Sequence, residues 1–437
     1  MAATNKTANG PNPTSSISNT SFQSNPLPIV IAGGGCVGLF LALLLTTSFP
    51  PIPNPIIVLE PETPDPTSTR AMAHQPSTYP ILSRVPGLLF ELIAAGSLSS
   101  GLCFRTSVAN GSKVIASKTF DNCGEGLKGK GQLLLPQGKF QQILMARLAA
   151  LENKARVLTG SSLTSFTQHA THVSVTYSTP TGDPQTVSAA YLIGADGSHS
   201  PVRKTLALPF PGETLDAHLV ATDIYFDFAA HAFHDANFII DPENYGLIGR
   251  INHTGLWRVS YGVPSSMHDE EITQTVHDKL SLMLPNAGLD KNGERAYKVA
   301  RIAPYKAQQR LAPTLHSNRV CLVGDAAHLT NPYAGLGLAS GIADASSLAE
   351  ILDRILTHQA GNAEELLNAW SAARHQKFLD AVDGPSRMAY KRVRSDVSSD
   401  EKFGELAGRD PMVGALREGM PVVPPSLETR GEELEGW

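Results

Sequence analysis

The sequence predicts an α/β fold: a Rossmann-like parallel sheet interleaved with a mixed β-sheet domain and followed by C-terminal helices. Three observations carry this expectation. A β-branched run, Ile29 to Ile31, enters Gly33-x-Gly35-x-x-Gly38 and then an apolar helical stretch, Leu39 to Leu45. Three further apolar runs each end in an acidic signature: 56–59 in Glu60, 191–195 in Asp196-Gly197 and 319–323 in Gly324-Asp325. Between the last two, residues 218–310 read mainly as short strands separated by turn residues, interrupted by a helix over 268–284.

The first of these is a strand, a tight turn and a helix N-terminus in the order that a dinucleotide's pyrophosphate requires. Gly33 permits the turn, Gly35 lets the backbone approach the phosphates, and Gly38 lets the helix lie close to the strand. With Val37 between them, the loop offers unpaired N–H groups and the positive end of a helix dipole. Glu60, at the end of the second strand, is placed to accept hydrogen bonds from an adenosine ribose. The glycine triplet alone is weak evidence. Strand, helix, second strand and terminal acid together make it specific.

Composition narrows the class. The 437 residues have room for two or three domain-sized units, and 42% hydrophobic with 17% charged residues is a globular balance. A net charge of −5 points to neither nucleic acid nor an anionic membrane as partner. Cys36, Cys103, Cys123 and Cys321 are scattered, with no CxxC pair, and read as reduced small residues of a cytoplasmic protein without a metal site. Residues 1–26 are polar and read as a flexible tail lacking the apolar core of a secretory signal. The longest apolar run, Leu39 to Leu45, is too short to span a bilayer.

Along the chain, the prolines of 48–55 make a stiff connector. Arg70 and Ala71 follow the second strand, where Arg70 either reaches the cofactor cleft or is solvated. A short helix is expected over 87–96. Residues 124–131 match GxGxxG and nearly match a phosphate-cradling GxxxxGK[ST]. Neither a preceding strand nor a following helix is evident, so the segment reads as a loop. An amphipathic helix, 139–151, buries Phe140, Ile143, Leu144 and Leu148, with Gln137 just before it. Strands follow over 156–178 and 186–193, and a helix over 339–356. The chain is expected to stay helical to about 390 and then to be charged and loosely attached. The resulting division is a tail (1–26), a cofactor domain (27–204, with part of a substrate cap in about 80–130), a substrate sheet domain (205–310), a return to the cofactor domain (311–390) and a C-terminal tail (391–437).

Three motifs in series resemble the single-component FAD-dependent aromatic hydroxylases of the p-hydroxybenzoate hydroxylase fold, most closely their phenol-hydroxylase-like branch. They are Gly33-x-Gly35-x-x-Gly38 with Glu60, Gly194-Ala-Asp196-Gly197-Ser-x-Ser-x-x-Arg203, and Gly324-Asp325-Ala-Ala-His328 with Pro332-Tyr-Ala-Gly335-Leu-Gly337. The likeness spans roughly residues 28–380. It implies that the first loop and Glu60 hold the ADP half of FAD, that Asp196 and Gly197 serve both FAD and NAD(P)H, and that Asp325 binds the ribityl chain. Backbone N–H groups around Gly335, Leu336, Gly337 and Leu338 would face the flavin pyrimidine, with Gln137 near the cofactor. Relatives often carry Asn where this chain has Ala339.

The resemblance further implies a monooxygenase that uses NADPH or NADH and O2 to hydroxylate a phenolic or related aromatic small molecule through a flavin C4a-hydroperoxide in a dry cavity. Pro332 would turn a carbonyl toward the substrate, and His328 would cap or pack. Tyr225, Tyr245, His234 and Arg258 fall in the substrate sheet; with Pro332, the last three are the catalytic candidates, and the sequence does not separate them. An oxidase, reductase, epoxidase or cyclase on the same fold, or a non-catalytic binding protein, are the alternatives.

Overall fold

The computed structural model describes residues 26–47, 51–124, 126–127, 129–420, 425–429 and 431–434. Apart from residue 26, the polar segment 1–26 lies outside the described residues, as do 48–50 of the proline connector.

Apolar, β-branched segments stack into a six-stranded sheet in the order His316–Ser317, Val320–Leu322, Tyr191–Gly194, Ile29–Ala32, Ile56–Glu60, Ala155–Thr159. All neighbours are parallel except the edge pair 316–317 with 320–322. The strands Ile29–Ala32, Tyr191–Gly194 and Val320–Leu322 are buried on both faces, as continuous apolar runs in the middle of a parallel sheet should be. Helix Cys36–Thr47 covers one side with nearly every residue buried, and the long helix Gly337–Leu356 packs against it. Register does the positioning. Ala32 pairs with Leu59 and Gly194, and Gly194 with Leu322, so the motif-bearing strand ends lie along one edge.

The second large sheet has eight strands: His328–Leu329, Lys298–Leu311, Gly212–Tyr225, Leu256–Pro264, Gly246–Arg250, Ala236–Ile240, Gly101–Thr106 and Val114–Thr119. Only the 236–240 and 101–106 strands run parallel. Its first strand begins three residues after Asp325, so this sheet is continuous in chain with the turn that follows Leu322. One face packs Val220, Ile248, Val259 and Tyr261 against Ile272, Val276 and Leu280. The helix expected over 268–284 is two helices, Asp269–Gln274 and Val276–Met283, broken at Thr275. The strands 101–106 and 114–119 were not anticipated individually.

The largest departure is at the C-terminus. The expectation of loose attachment after 390 fails for the described residues. Helices Asp400–Arg409 and Pro411–Arg417 bury Leu406, Val413 and Leu416 against Phe104 and Ile240. A buried ion pair, Arg392 Nε to Asp410 Oδ2 at 2.7 Å, fastens them. Leu427 and Leu434 then reach the core of the six-stranded sheet domain. Their partners are remote in sequence, which is why a charged composition read as solvated.

Candidate active site

The three strand ends meet at the carboxyl edge of the parallel sheet. Gly33 adopts φ +108°, and a Cβ there would strike the carbonyl of Ala195, one residue before Asp196. A Cβ at Gly38 would strike the Gly33 carbonyl, so the helix sits directly on the turn. A Cβ at Gly35 would meet nothing within 4 Å, which leaves that side of the loop open to approach. Val37 touches Gly324 and Gly341, joining the first loop to the third motif and to the long helix. Glu60 accepts the Gly34 N–H at 2.7 Å through Oε2.

The start of helix Gln137–Ala149 braces this loop. Gln141 Nε2 donates to the Gly34 carbonyl at 2.7 Å. Gln137 Oε1 accepts the Ala71 N–H at 3.2 Å, and its own N–H donates to the Ala71 carbonyl at 2.8 Å. Ala71 and Gln137 are therefore brought together beside the glycine turn, while the Arg70 side chain is exposed. Residues 126–127 and 129–131, by contrast, form neither strand nor helix, and the Gly131 carbonyl accepts the Tyr79 hydroxyl at 2.6 Å.

Asp196 turns one oxygen back to the Val202 N–H at 3.0 Å, while its other oxygen is buried with no partner among the described residues. Burial raises its pKa, opposed by bonds from Ser200 and Val202. Gly197, at φ +78°, has open space around it. Arg203 is a staple between motifs: its guanidinium donates to the Ser198 and Ala326 carbonyls, both at 2.7 Å, and lies over the Phe210 ring.

Asp325 lies in the short turn Gly324–Ala326. Its side chain is exposed yet hemmed by protein on most sides, the situation of a group facing a cleft. Loss of hydration raises its pKa, with nearby His328 opposing, and it accepts no hydrogen bond from a described residue. It therefore does not cap the following turn. His328 is structural: its Nε2 lies 2.7 Å from Asp344 Oδ2, and its ring stacks on Phe378.

The loop 331–336 leads into the helix Gly337–Leu356. Gln75 Nε2 donates to the Ala334 carbonyl at 3.1 Å and stands 2.6 Å from where a Gly335 Cβ would be, at φ +63°. The Pro332 carbonyl accepts the Gly335 N–H at 3.0 Å, so the turn itself uses it. Leu336 is the residue before the helix, and the N–H groups of its first turn, Gly337 to Ala339, lack intrahelical acceptors. Ala339 is buried.

The eight-stranded sheet roofs this edge. Residues paired directly across antiparallel strands share a face. One row is Tyr305–Leu219–Gly262, the next Ala303–Ala221–Ser260–Leu247, the third Arg301–Asp223–Arg258–Gly249. The third row identifies the face, because Thr69 donates to Asp223 Oδ2 at 2.6 Å and Arg258 donates to the Arg70 carbonyl at 3.3 Å. The middle row is three small side chains, Ala303, Ala221 and Ser260, with Leu247 at its end. Tyr305 stands in the first row, part of its ring reaching the surface and its hydroxyl unbonded among the described residues; the protein around that hydroxyl strips its hydration and pushes its pKa up to about 12, with the Arg258 charge opposing.

The four catalytic candidates separate on geometry. Arg258 is buried and committed to Asp223 through two bonds, at 2.8 and 3.1 Å. Tyr245 is buried among Leu219, Tyr333 and Tyr390. His234 contacts Gly101 and Asn237 near the edge of the roof sheet opposite His328–Leu329. Pro332 alone of the four lies on the loop beside the strand-end turns. Cys36 is buried between the motifs, and burial pushes its pKa up to about 12, so it is no nucleophile. Two surface cavities, of about 480 and 660 Å³, share no residue with the three motifs. Among the described residues no cluster of His, Cys, Asp and Glu suits a metal, and no helix is long and apolar enough to cross a membrane.

Residues 27–384 match the family model described as an FAD binding domain. Para-nitrophenol 4-monooxygenase of Pseudomonas sp. (strain WBC-3) is 33% identical over 352 residues, covering 80% of this chain and 83% of that protein. The chain belongs to the single-component FAD-dependent aromatic hydroxylases. A second relative of this hydroxylase is 6-hydroxy-3-succinoylpyridine 3-monooxygenase HspB of Pseudomonas putida (strain DSM 28022 / S16), 31% identical over 373 residues, with 81% and 86% covered. Among solved structures, p-nitrophenol 4-monooxygenase PnpA from Pseudomonas putida DLL-E4 superposes with a TM-score of 0.79 at 29% identity, covering 90% of this chain and 96% of that one. The hydroxylase is an FAD-dependent monooxygenase with the α/β fold of that family.

The site fits FAD on its own geometry: an open approach at Gly35, an unbonded Asp325 facing the cleft, and an unpartnered oxygen on Asp196. Sequence reasoning missed Gln75, Gln141, Asp344 and Tyr305. Only Asp344 left a trace, as an acid on the apolar stretch of a helix seven residues after Gly337.

Proposed function

We propose that this enzyme uses NADPH, or NADH, and O2 to hydroxylate a phenolic small molecule at the ring carbon para to its hydroxyl. The supporting observation is the convergence of the Gly33–Gly38, Asp196–Gly197 and Asp325–Leu338 segments, with the face of the eight-stranded sheet that carries Leu219, Ala221 and Asp223 turned toward Thr69 and Arg70 beside them. The names of both relatives place their oxygenation para to a ring hydroxyl: position 4 of a para-nitrophenol, and position 3 of a 6-hydroxypyridine. A phenolate oxygen donates electron density to that carbon, so removal of the phenol proton activates it.

Each group then has a role. The N–H groups of the Gly33–Gly38 turn and the dipole of helix Cys36–Thr47 hold the pyrophosphate, and Glu60 accepts from the adenosine ribose. Ala71 and Gln137 close the side of the cleft, with Arg70 at its rim. Asp325 binds the ribityl hydroxyls, while N–H groups from Gly335 to Leu338 face the pyrimidine and stabilise negative charge there. Bound FAD, reduced by the nicotinamide, supplies an electrophilic oxygen. Leu219, Ala221, Leu247 and Ala303 exclude water above it. We assign 27–204 and 311–390 to the cofactor unit and 205–310, with about 80–130, to the substrate unit, in a cytoplasmic enzyme.

The test is product analysis under 18O2. NADPH oxidation should rise with the right phenol, and one labelled oxygen should enter the ring para to its hydroxyl. Turnover that leaves the product unlabelled would replace this reading with an oxidase or reductase on the same fold. Protein that takes up no FAD would leave a binding role.

A further inference from the structure

We propose that residues 425–429 act as a clasp on the cofactor turn, reaching Asp325 through a buried relay of Arg374 and Asp344. Arg374, on helix Ala363–Phe378, is fully buried, and its Nη1 donates to the Leu427 carbonyl at 2.7 Å and to Thr429 Oγ1 at 2.9 Å. Its Nε donates to Asp344 Oδ1 at 2.8 Å, and its Nη2 to the Ser340 carbonyl at 3.4 Å. Asp344 is fully buried too. Its other oxygen accepts the Gly324 N–H at 3.0 Å and stands 2.7 Å from His328 Nε2. Gly324, at φ +60°, is the residue before Asp325.

The relay is closed at both ends. Every donor of the guanidinium that the relay uses has an acceptor, and both carboxylate oxygens are filled. Without Leu427 and Thr429, the guanidinium would keep N–H bonds with nothing to satisfy them in a dry interior, and it would turn toward water. Asp344 would then be a buried charge without its cation, free to let go of the Gly324 amide. The consequence arrives at the carboxylate facing the cleft. Arg374, Asp344, Leu427 and Thr429 are thus positioning residues: none lies against the cleft, and all act through the Gly324–Asp325 turn. Asp344 and Arg374 come from different helices, and the clasp adds a third element, so the geometry of the turn depends on residues about one hundred positions downstream.

This inference rests on the FAD reading of the site, and the experiment separates the two. Apoprotein is titrated with FAD by fluorescence, and the absorbance envelope of the bound flavin and the melting temperature of the apoprotein are recorded. Thr429→Val should raise the FAD dissociation constant about tenfold, as loss of a bond to a charged group warrants, and shift the bound-flavin spectrum. Thr429→Ser should restore both. Deletion of residues 421–437 should have a larger effect of the same kind. Leu434→Ala, which removes packing from the same segment without touching Arg374, should lower the melting temperature and leave affinity and spectrum unchanged.

Unaltered FAD affinity and spectrum in Thr429→Val would overturn the clasp while leaving the FAD site intact. If the deletion does not fold, Thr429→Val still decides. Wild-type protein that binds no FAD would instead overturn the reading beneath it.

Discussion

Asp325 carries opposite consequences for binding and for stability. Its pKa is raised above the ordinary 3.8 by lost hydration, so its ionised form is disfavoured by folding. A raised carboxyl pKa costs no stability below the unfolded value; the cost develops as pH rises from there toward the folded value and is complete above it. Asp325→Ala should therefore weaken FAD binding by about 1–3 kcal/mol while leaving the apoprotein at least as stable as wild type at pH 7. Urea unfolding of both apoproteins at pH 7 and pH 3 checks this; a gain at pH 7 that disappears at pH 3 is expected. Asp344 has the reverse sign. Burial opposes its charge, but His328 and Arg374 prevail and its pKa falls from 3.8 to about 2. Its stabilising contribution is present above pH 3.8 and is lost as pH falls through about 2. Asp344→Asn should cost about 3–5 kcal/mol at neutral pH by leaving Arg374 unpaired, and should flatten the acid limb of the stability curve. Asp325 was readable because it ends an apolar strand in a local pattern. Arg374 and Thr429 were not, because no local pattern links them to Gly324 or to each other.

At the scale of elements, the glycine turn and the roof make separable contributions. A side chain at Gly35 would enter the open space that the proposed function gives to the phosphates, so Gly35→Val should yield folded apoprotein; a yellow variant with full flavin content would contradict the assignment. Ala221 lies in the middle of the roof, opposite Ser260 and Ala303. Ala221→Leu should crowd the face that the proposed function turns toward the substrate, raise KM for the phenol by about tenfold and leave the flavin spectrum alone. The tenfold figure follows from crowding worth about 1–3 kcal/mol. The parallel strands were readable as continuous apolar runs bounded by Gly and Asp. The roof strand 101–106 was harder, because its pairing with 236–240 is set by contacts more than one hundred residues apart, and 114–119 joins the sheet only through 101–106. The break at Thr275 left no Pro or Gly to announce it.

For the whole molecule, the motifs identified the fold because a doubly wound sheet places its strand ends on one edge regardless of what lies between them. Which residues face the cleft could not be assembled from period-2 alternation, since alternation gives two faces and does not say which one meets the cofactor. That choice is made by Thr69, Arg70 and Met72 touching Asp223, Arg258 and Gly249. The C-terminal helices, read from composition as a solvated tail, instead close the far edge of the roof sheet, and the stretch beyond them returns to the cofactor domain. Leu406, Val413 and Leu416 thus pack on one sheet's domain, and Leu427 and Leu434 on the other's. The account stands on the claim that three strand ends form one flavin site. Titration of apoprotein with FAD tests it most directly: fluorescence should be quenched to an endpoint at a single equivalent per chain, and Asp325→Ala should move the affinity without changing that endpoint. An absence of saturable binding, or an affinity indifferent to Asp325, would contradict it.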